Sequence, residues 1–301
     1  MKAKIYTSKT PSGKDALFVG GLGEYSLADT LECGQCFRFD RVDGEYDVQY
    51  FGMAGAFPVC VAQEKKGELI FIGATEKDYD SYLCRYFALD VDWAQINEYI
   101  KNASDSSFMI KASELGAGIA ILRQDIWEAL FSFIVSQNNN IPRIKKNIKA
   151  VCALYGEKKG NTCVNCTDCG ACYTFPSPED ILANPTLLEG ARLGFRYRYL
   201  LDACRRVATG EIKLEDVMHP ADFDASRELL CRICGVGEKV CSCVLLFGGG
   251  HLDAFPVDVW MRRAIDEYFG GKLDTSKFGS YAGVAQQYIF HYIRNLAEKT
   301  Q

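Results

Sequence analysis

Hydrophobic periodicity changes once along this 301-residue chain, and that change limits the folds open to it. Between residues 30 and 75 the segments CFRFDRV, EYDVQYFG, AFPVCVAQ and ELIFIGA alternate apolar with polar positions, separated by turn-like DG, AG and KKGE. A two-residue period is that of a strand with one buried face, and turns this short join strands antiparallel. A helix is expected next, around DYDSYLCRYFAL. From about residue 113 the period becomes helical. In QDIWEALFSFIVSQ, residues Ile126, Leu130, Phe133 and Ile134 share one stripe. PSPEDILAN and ADFDASRELLCRI open with Pro, Ser or Asp start signals, and YAGVAQQYIFHYIRNLAE closes the chain in the same pattern. The predicted class is α+β: an antiparallel β-sheet domain over residues 1–112, then an all-α region over 113–301.

Composition narrows the setting. No apolar run approaches a membrane span, and MKAKIYTSKTPSGKDALFVGG has no secretory core or cleavage site, so a cytoplasmic protein is expected. Fourteen cysteines in a chain of this size, without an export signal, point to reduced thiols. The net charge of −5 gives no global case for a polyanionic partner. Locally the balance reverses. NNNIPRIKKNIK holds Arg143, Lys145, Lys146 and Lys149 with no acid, and RLGFRYRYLLDACRR holds five arginines against one aspartate. One such run reads as a solvated helix face. Two of them beside a glycine turn favour nucleic acid.

That turn is Cys234-Gly235-Val236-Gly237, between the helical stretches SRELLCRI and EKVCSCVLLF. Glycines there let another chain approach closely, and the amides opening the second helix face outward at the positive end of its dipole. This is the logic of a helix-hairpin-helix, which grips a DNA backbone without reading sequence. Lys239 follows at once. The helix dipole disfavours a cation in the first turn and so favours a neutral, nucleophilic amine; a lysine that simply binds phosphate is the alternative. Asp258 comes 19 residues later, at the start of the helix in FPVDVWMRRAIDEYF, where it serves as a cap or as an ionised carboxylate facing the lysine. Amine and carboxylate beside a DNA grip suit one reaction class. The carboxylate stabilises positive charge on a deoxyribose as its base departs, and the amine captures C1′ as a Schiff base.

With these residues in view, the chain resembles the eukaryotic-type 8-oxoguanine DNA glycosylase/AP lyases of the helix-hairpin-helix superfamily, as a microbial relative. ECGQCFRF, ILRQDIWEALFSFIVSQNNNIPRI, YTFPSPEDIL, LGFRYRYL, GVGEKV, FPVDVW and YAGVAQQYIF match that family in order, from about residue 25 to 292. The resemblance implies a bifunctional enzyme removing 8-oxoguanine opposite cytosine from double-stranded DNA, acting as a monomer, nucleoid-associated by function, with no cofactor required. It implies Lys239 as nucleophile and Asp258 as its electrostatic partner. Around the extruded base it implies Phe290 and Cys243 as the two sides of a sandwich, the Gly34 carbonyl as acceptor from the N7 hydrogen, and Gln286 on the Watson–Crick edge. Asn138, Arg143 and Arg196 would hold the orphaned cytosine while Phe195 wedges into the gap. Gly235, Val236, Gly237 and Trp260 would meet the DNA backbone. Three positions depart from the family: Phe195 replaces tyrosine, Trp260 stands where a relative has histidine, and Cys234 replaces proline.

From the residues alone each of these has a plainer reading: Phe290 and Cys243 as core, Gln286 as a surface amide, Gly34 as a turn glycine, and the arginines as phosphate contacts. Two rival functions follow. A glycosylase for alkylated purines would typically lack Lys239, and a non-catalytic lesion binder would not need it.

One motif lies outside the family pattern. NTCVNCTDCGACY, within a Cys-rich insertion at residues 160–173, spaces Cys163, Cys166, Cys169 and Cys172 three apart. Thiolates at that density suit a structural Zn²⁺ or an iron–sulfur cluster, although the spacing departs from the usual zinc and ferredoxin patterns. A cysteine-rich surface loop is the alternative.

Overall fold

The N-terminal strands form one antiparallel sheet, and the segment after its first hairpin runs against the helices. The computed structural model describes residues 3–159 and 172–299. Strands β1 (Lys4–Lys9) and β2 (Asp15–Gly20) form a hairpin, and α1 (Leu27–Glu32) follows, capped by the Ser26 side chain. The remaining strands are β3 (Phe39–Arg41), β4 (Val48–Ala54), β5 (Phe57–Gln63) and β6 (Glu68–Ile72). The sheet runs β1-β2-β6-β5-β4-β3, antiparallel throughout. Leu17 of β2 and Phe71 of β6 project from its buried face, where alternation puts them.

Helices cover that face. The short α2 (Glu76–Asp78) continues through a π-helical turn, Tyr79–Leu83, into α3 (Cys84–Tyr86). Then come α4 (Trp93–Asn102), α5 (Ser107–Gly116), α6 (Ile126–Ser136) and α7 (Ile141–Tyr155). A two-residue pair, β7 (Lys158–Lys159) with β8 (Cys172–Tyr173), brackets the cysteine-rich insertion. After it lie α8 (Pro178–Ala183), α9 (Arg196–Ala208), α10 (Phe223–Leu230), α11 (Glu238–Phe247), α12 (Val259–Tyr268) and α13 (Ala282–Lys299). Among the described residues, no helix is long and apolar enough to cross a membrane.

The expected boundary at residue 112 falls inside α5. Helical packing starts earlier, at Trp93, and α5 lies so close to α13 that a Cβ on Gly116 would come within 2.5 Å of the Tyr288 ring. Sheet and helices share one continuous core: Leu17 and Phe71 belong to the same buried cluster as Phe131, Leu245 and Tyr288. A buried ion pair also crosses the expected division. Arg38, just before β3, meets Glu128 of α6 at 3.0 Å, with each side chain 6% exposed. Burial pushes the Glu128 carboxyl up, against the pull of the Arg38 guanidinium.

Of the cysteine run, Cys163, Cys166 and Cys169 lie outside the described residues. Cys172 is buried in β8.

Candidate active site

The hairpin between α10 and α11 is built as its glycines require. Gly235 has φ of +78°, and its Cα lies against the Tyr199 ring of α9, so that a Cβ would come within 2.3 Å of Cδ2. Gly237 is the N-cap of α11, with no side-chain cap and open space where a Cβ would point. The first amides of α11 therefore lack an intrahelical acceptor by geometry and face solvent at the positive end of the dipole. Val236 does otherwise. Its side chain is buried and its amide donates to the Ile233 carbonyl at 3.0 Å, so the turn consumes both groups and Val236 offers nothing to a DNA backbone. The Cys234 amide is likewise committed, donating to Asp202 of α9 at 2.8 Å.

Lys239 stands in the first turn of α11, half-buried, with Nζ 5.5 Å from the centre of the Phe133 ring. Phe133 is buried and stacks on Phe247, while Phe37 meets its edge. One turn further along α11, the Cys243 thiol is buried within electrostatic reach of both Lys239 and Asp258. Burial pushes that thiol up, the neighbouring Lys239 ammonium pulls it down, and the Asp258 carboxylate adds to the rise. Both charged groups thus act on one sulfur, although they stand 19 positions apart in the chain. Asp258 reaches the spot as the N-cap of α12, with Oδ1 accepting from the Met261 amide at 2.8 Å. Trp260 is half-buried, with the Arg263 guanidinium 5.5 Å from its ring.

A second group comes from α13 and the loop after α1. Gly34 has φ of +88°, and a Cβ there would lie 3.9 Å from Phe290 Cε1 and 3.6 Å from Ile141 Cδ1. Phe290 is half-buried beneath the Arg294 guanidinium. Gln286 is buried, and its Oε1 meets no hydrogen-bond partner among the described residues. An isolated buried amide oxygen costs free energy, and such an oxygen at a functional site marks a place for a donor from outside.

The third group lies between α6 and α9. Phe195, at the N-cap of α9, is 44% exposed and follows Gly194, whose φ is +61°. Arg196 is buried: it donates to the carbonyls of Gln137, Leu193 and Asn138, and stacks on Phe195 at 4.5 Å. Burial pushes its guanidinium down, and Arg143 adds to that fall. Asn138 is exposed in the left-handed region, φ +48°, and Arg143 is exposed on α7.

Sequence reasoning missed four residues here. Phe133 reads in the sequence as a core residue, and Tyr199, Asp202 and Gln287, whose Nε2 donates to the Cys33 carbonyl, carry no signal, because their partners lie far away in the chain.

Comparison with known proteins follows this geometry. Residues 21–130 match the family model described as 8-oxoguanine DNA glycosylase, N-terminal domain. The solved structure of MBOgg1 in complex with a low-affinity DNA ligand is 35% identical with a TM-score of 0.86, covering 99% of this chain and 100% of that one. The Clostridium acetobutylicum 8-oxoguanine glycosylase/lyase, in complex with double-stranded DNA containing cytosine opposite 8-oxoG, is 30% identical with a TM-score of 0.84, covering 98% of each chain. The N-glycosylase/DNA lyase of Saccharomyces cerevisiae is 29% identical over an alignment of 261 residues, which takes in 80% of this chain and 67% of the yeast protein. Fold and relatives together define a DNA glycosylase with lyase activity. More narrowly, the chain belongs to the 8-oxoguanine DNA glycosylase family.

Proposed function

We propose that this enzyme excises 8-oxoguanine lying opposite cytosine, and then cleaves the strand through a covalent lysine adduct. The observation that supports the chemistry is that the Lys239 ammonium and the Asp258 carboxylate both act on the buried Cys243 thiol. A base inside a duplex is out of reach, so the damaged nucleotide is extruded. Asp258 stabilises positive charge on the sugar as the bond from C1′ to the base breaks and the base leaves with the electron pair. The departing base takes up the proton that Lys239 gives up, and the amine forms the new bond to C1′. Proton transfer from that nitrogen to O4′ opens the sugar ring and gives the protonated Schiff base. A C2′ proton then passes to water as the 3′ phosphate leaves.

Recognition falls to the second and third groups. The extruded purine lies between Phe290 and Cys243, with Gln286 supplying amide contacts to its edge. The Gly34 carbonyl accepts from N7–H, a hydrogen that guanine lacks. Guanine would leave that acceptor unpaired, a penalty of roughly 1–3 kcal/mol. Phe195 fills the gap, and Asn138, Arg143 and Arg196 face the orphaned cytosine. Arg196 does this while bracing the loop carbonyls it already binds. Gly235, Gly237 and the first amides of α11 hold the phosphates, with Trp260 beside them.

Borohydride trapping on an 8-oxoguanine:cytosine duplex tests the reading. Wild-type protein should form a covalent adduct, and Lys239→Gln should form none. Failure of the wild type to be trapped would remove the Schiff-base mechanism, and a trapped Lys239→Gln would remove this lysine.

A further inference from the structure

We infer that Gln287 is a positioning residue for substrate selection, holding the peptide unit next to the one that presents the Gly34 carbonyl; this rests on the base-recognition reading above. Gln286 and Gln287 are consecutive on α13, so their side chains diverge by about 100°. Both are buried. Gln286 keeps a free Oε1, whereas Gln287 turns the other way and donates from Nε2 to the Cys33 carbonyl at 3.0 Å. On the far side of Gly34, Gln124 donates to the Gln35 carbonyl at 2.7 Å. The Gln35 side chain is itself pinned: it donates to the carbonyls of Thr30 and Ala120, each at 2.8 Å, and accepts from the Leu122 amide at 2.9 Å. The carbonyls before and after Gly34 are thus each held by a buried amide.

This arrangement answers a problem that glycine creates. At φ +88° Gly34 occupies a region only glycine enters freely, and the same freedom lets its carbonyl swing. Gln287 fixes the unit that ends at Gly34, and Gln124 fixes the unit that begins at Gln35. With both held, the carbonyl between them can turn only by opposed rotation of the Gly34 ψ and the Gln35 φ, and Gln35, not being glycine, resists the second. A swung carbonyl would cost 8-oxoguanine its N7–H acceptor and would cost guanine nothing. The effect of Gln287 therefore falls on the ratio between the two bases, and not on the chemistry at C1′.

Gln287→Met keeps the bulk and removes the donor. In a Lys239→Gln background, which holds DNA without forming the adduct, equilibrium binding to 8-oxoguanine:cytosine and guanine:cytosine duplexes gives the selectivity ratio. Gln287→Met should lower that ratio about ten-fold, the worth of one hydrogen bond. The single variant should be trapped on an abasic-site duplex at the wild-type rate, because that substrate has no base to recognise. Gln124→Met, which frees the carbonyl on the other side, must lower the ratio as well; an unchanged ratio there would overturn the clamp even if Gln287→Met failed to fold. An unchanged ratio in Gln287→Met, or an equal loss on the abasic substrate, would also overturn it. A Lys239→Gln parent with no preference for 8-oxoguanine would instead defeat the substrate reading, and the inference with it.

Discussion

Asp258 does two jobs with one carboxylate, and a single substitution separates them. Its Oδ1 caps α12 through the Met261 amide, and its charge reaches the Cys243 thiol beside Lys239. Asparagine caps helices about as well as aspartate but carries no charge. Asp258→Asn should therefore leave the melting temperature nearly unchanged while single-turnover excision falls roughly 10²–10³-fold, the usual cost of losing one transition-state charge contact. Asp258→Ala should add a stability loss of about 1 kcal/mol from the missing cap. An Asn variant as fast as wild type would confine Asp258 to capping. Lysine and aspartate were legible in the sequence because each announces itself locally, at the first turn of a helix with glycine or proline before it. Phe133 was not. Its ring lies under an amine more than 100 positions away, and nothing in LFSFIVSQ separates it from the core residues beside it.

At the scale of the element, the hairpin shows why its two glycines are not equivalent. Gly235 combines a left-handed backbone with the Tyr199 ring against its Cα, whereas Gly237 has φ of −102° and open space around it. Gly235→Ala should cost more than about 2 kcal/mol, summing left-handed strain and overpacking, and should shift the urea midpoint accordingly. Gly237→Ala should change stability by less than about 1 kcal/mol yet weaken DNA binding, because its Cβ would stand where the phosphate backbone approaches. Equal stability losses in the two variants would contradict this division. The elements that the sequence revealed are long enough to show a period or apolar enough to be buried along most of their length: β4, β5, β6 and α6 are buried nearly throughout, and α10 buries Ser226 and Leu230 at a helical interval. Others lack such a signal. β1 has all six residues exposed, so KIYTSK offers no alternation to read, and α1 is only six residues long, too short to display a helical period.

Over the whole molecule, the puzzle is an acidic protein that binds DNA. With a net charge of −5, the attraction must come from one face and not from the total. The two basic runs seen in the sequence contribute less than their counts suggest. Arg196 is buried on loop carbonyls, and Arg206 is paired with Asp202 and Glu211, so neither is available to phosphate as it stands. Arg143, Lys146, Lys149, Arg192, Arg198 and Arg205 remain exposed. Burial and pairing, which a linear count cannot see, decide which charges act. If roughly four to six phosphates are neutralised, log K should fall against log salt with a slope near −4 to −5, so affinity should drop about 10²–10³-fold between 50 and 200 mM salt. Arg192→Gln or Arg198→Gln should each flatten that slope by about one. Lys9→Gln, on the edge strand β1 and already paired with Asp15, should leave it alone. Titrations of a fluorescent duplex at four salt concentrations would measure all three. A slope near zero would mean that base and wedge contacts carry the affinity, and a slope altered by Lys9→Gln as much as by Arg198→Gln would mean that attraction is spread over the surface and not focused on one face.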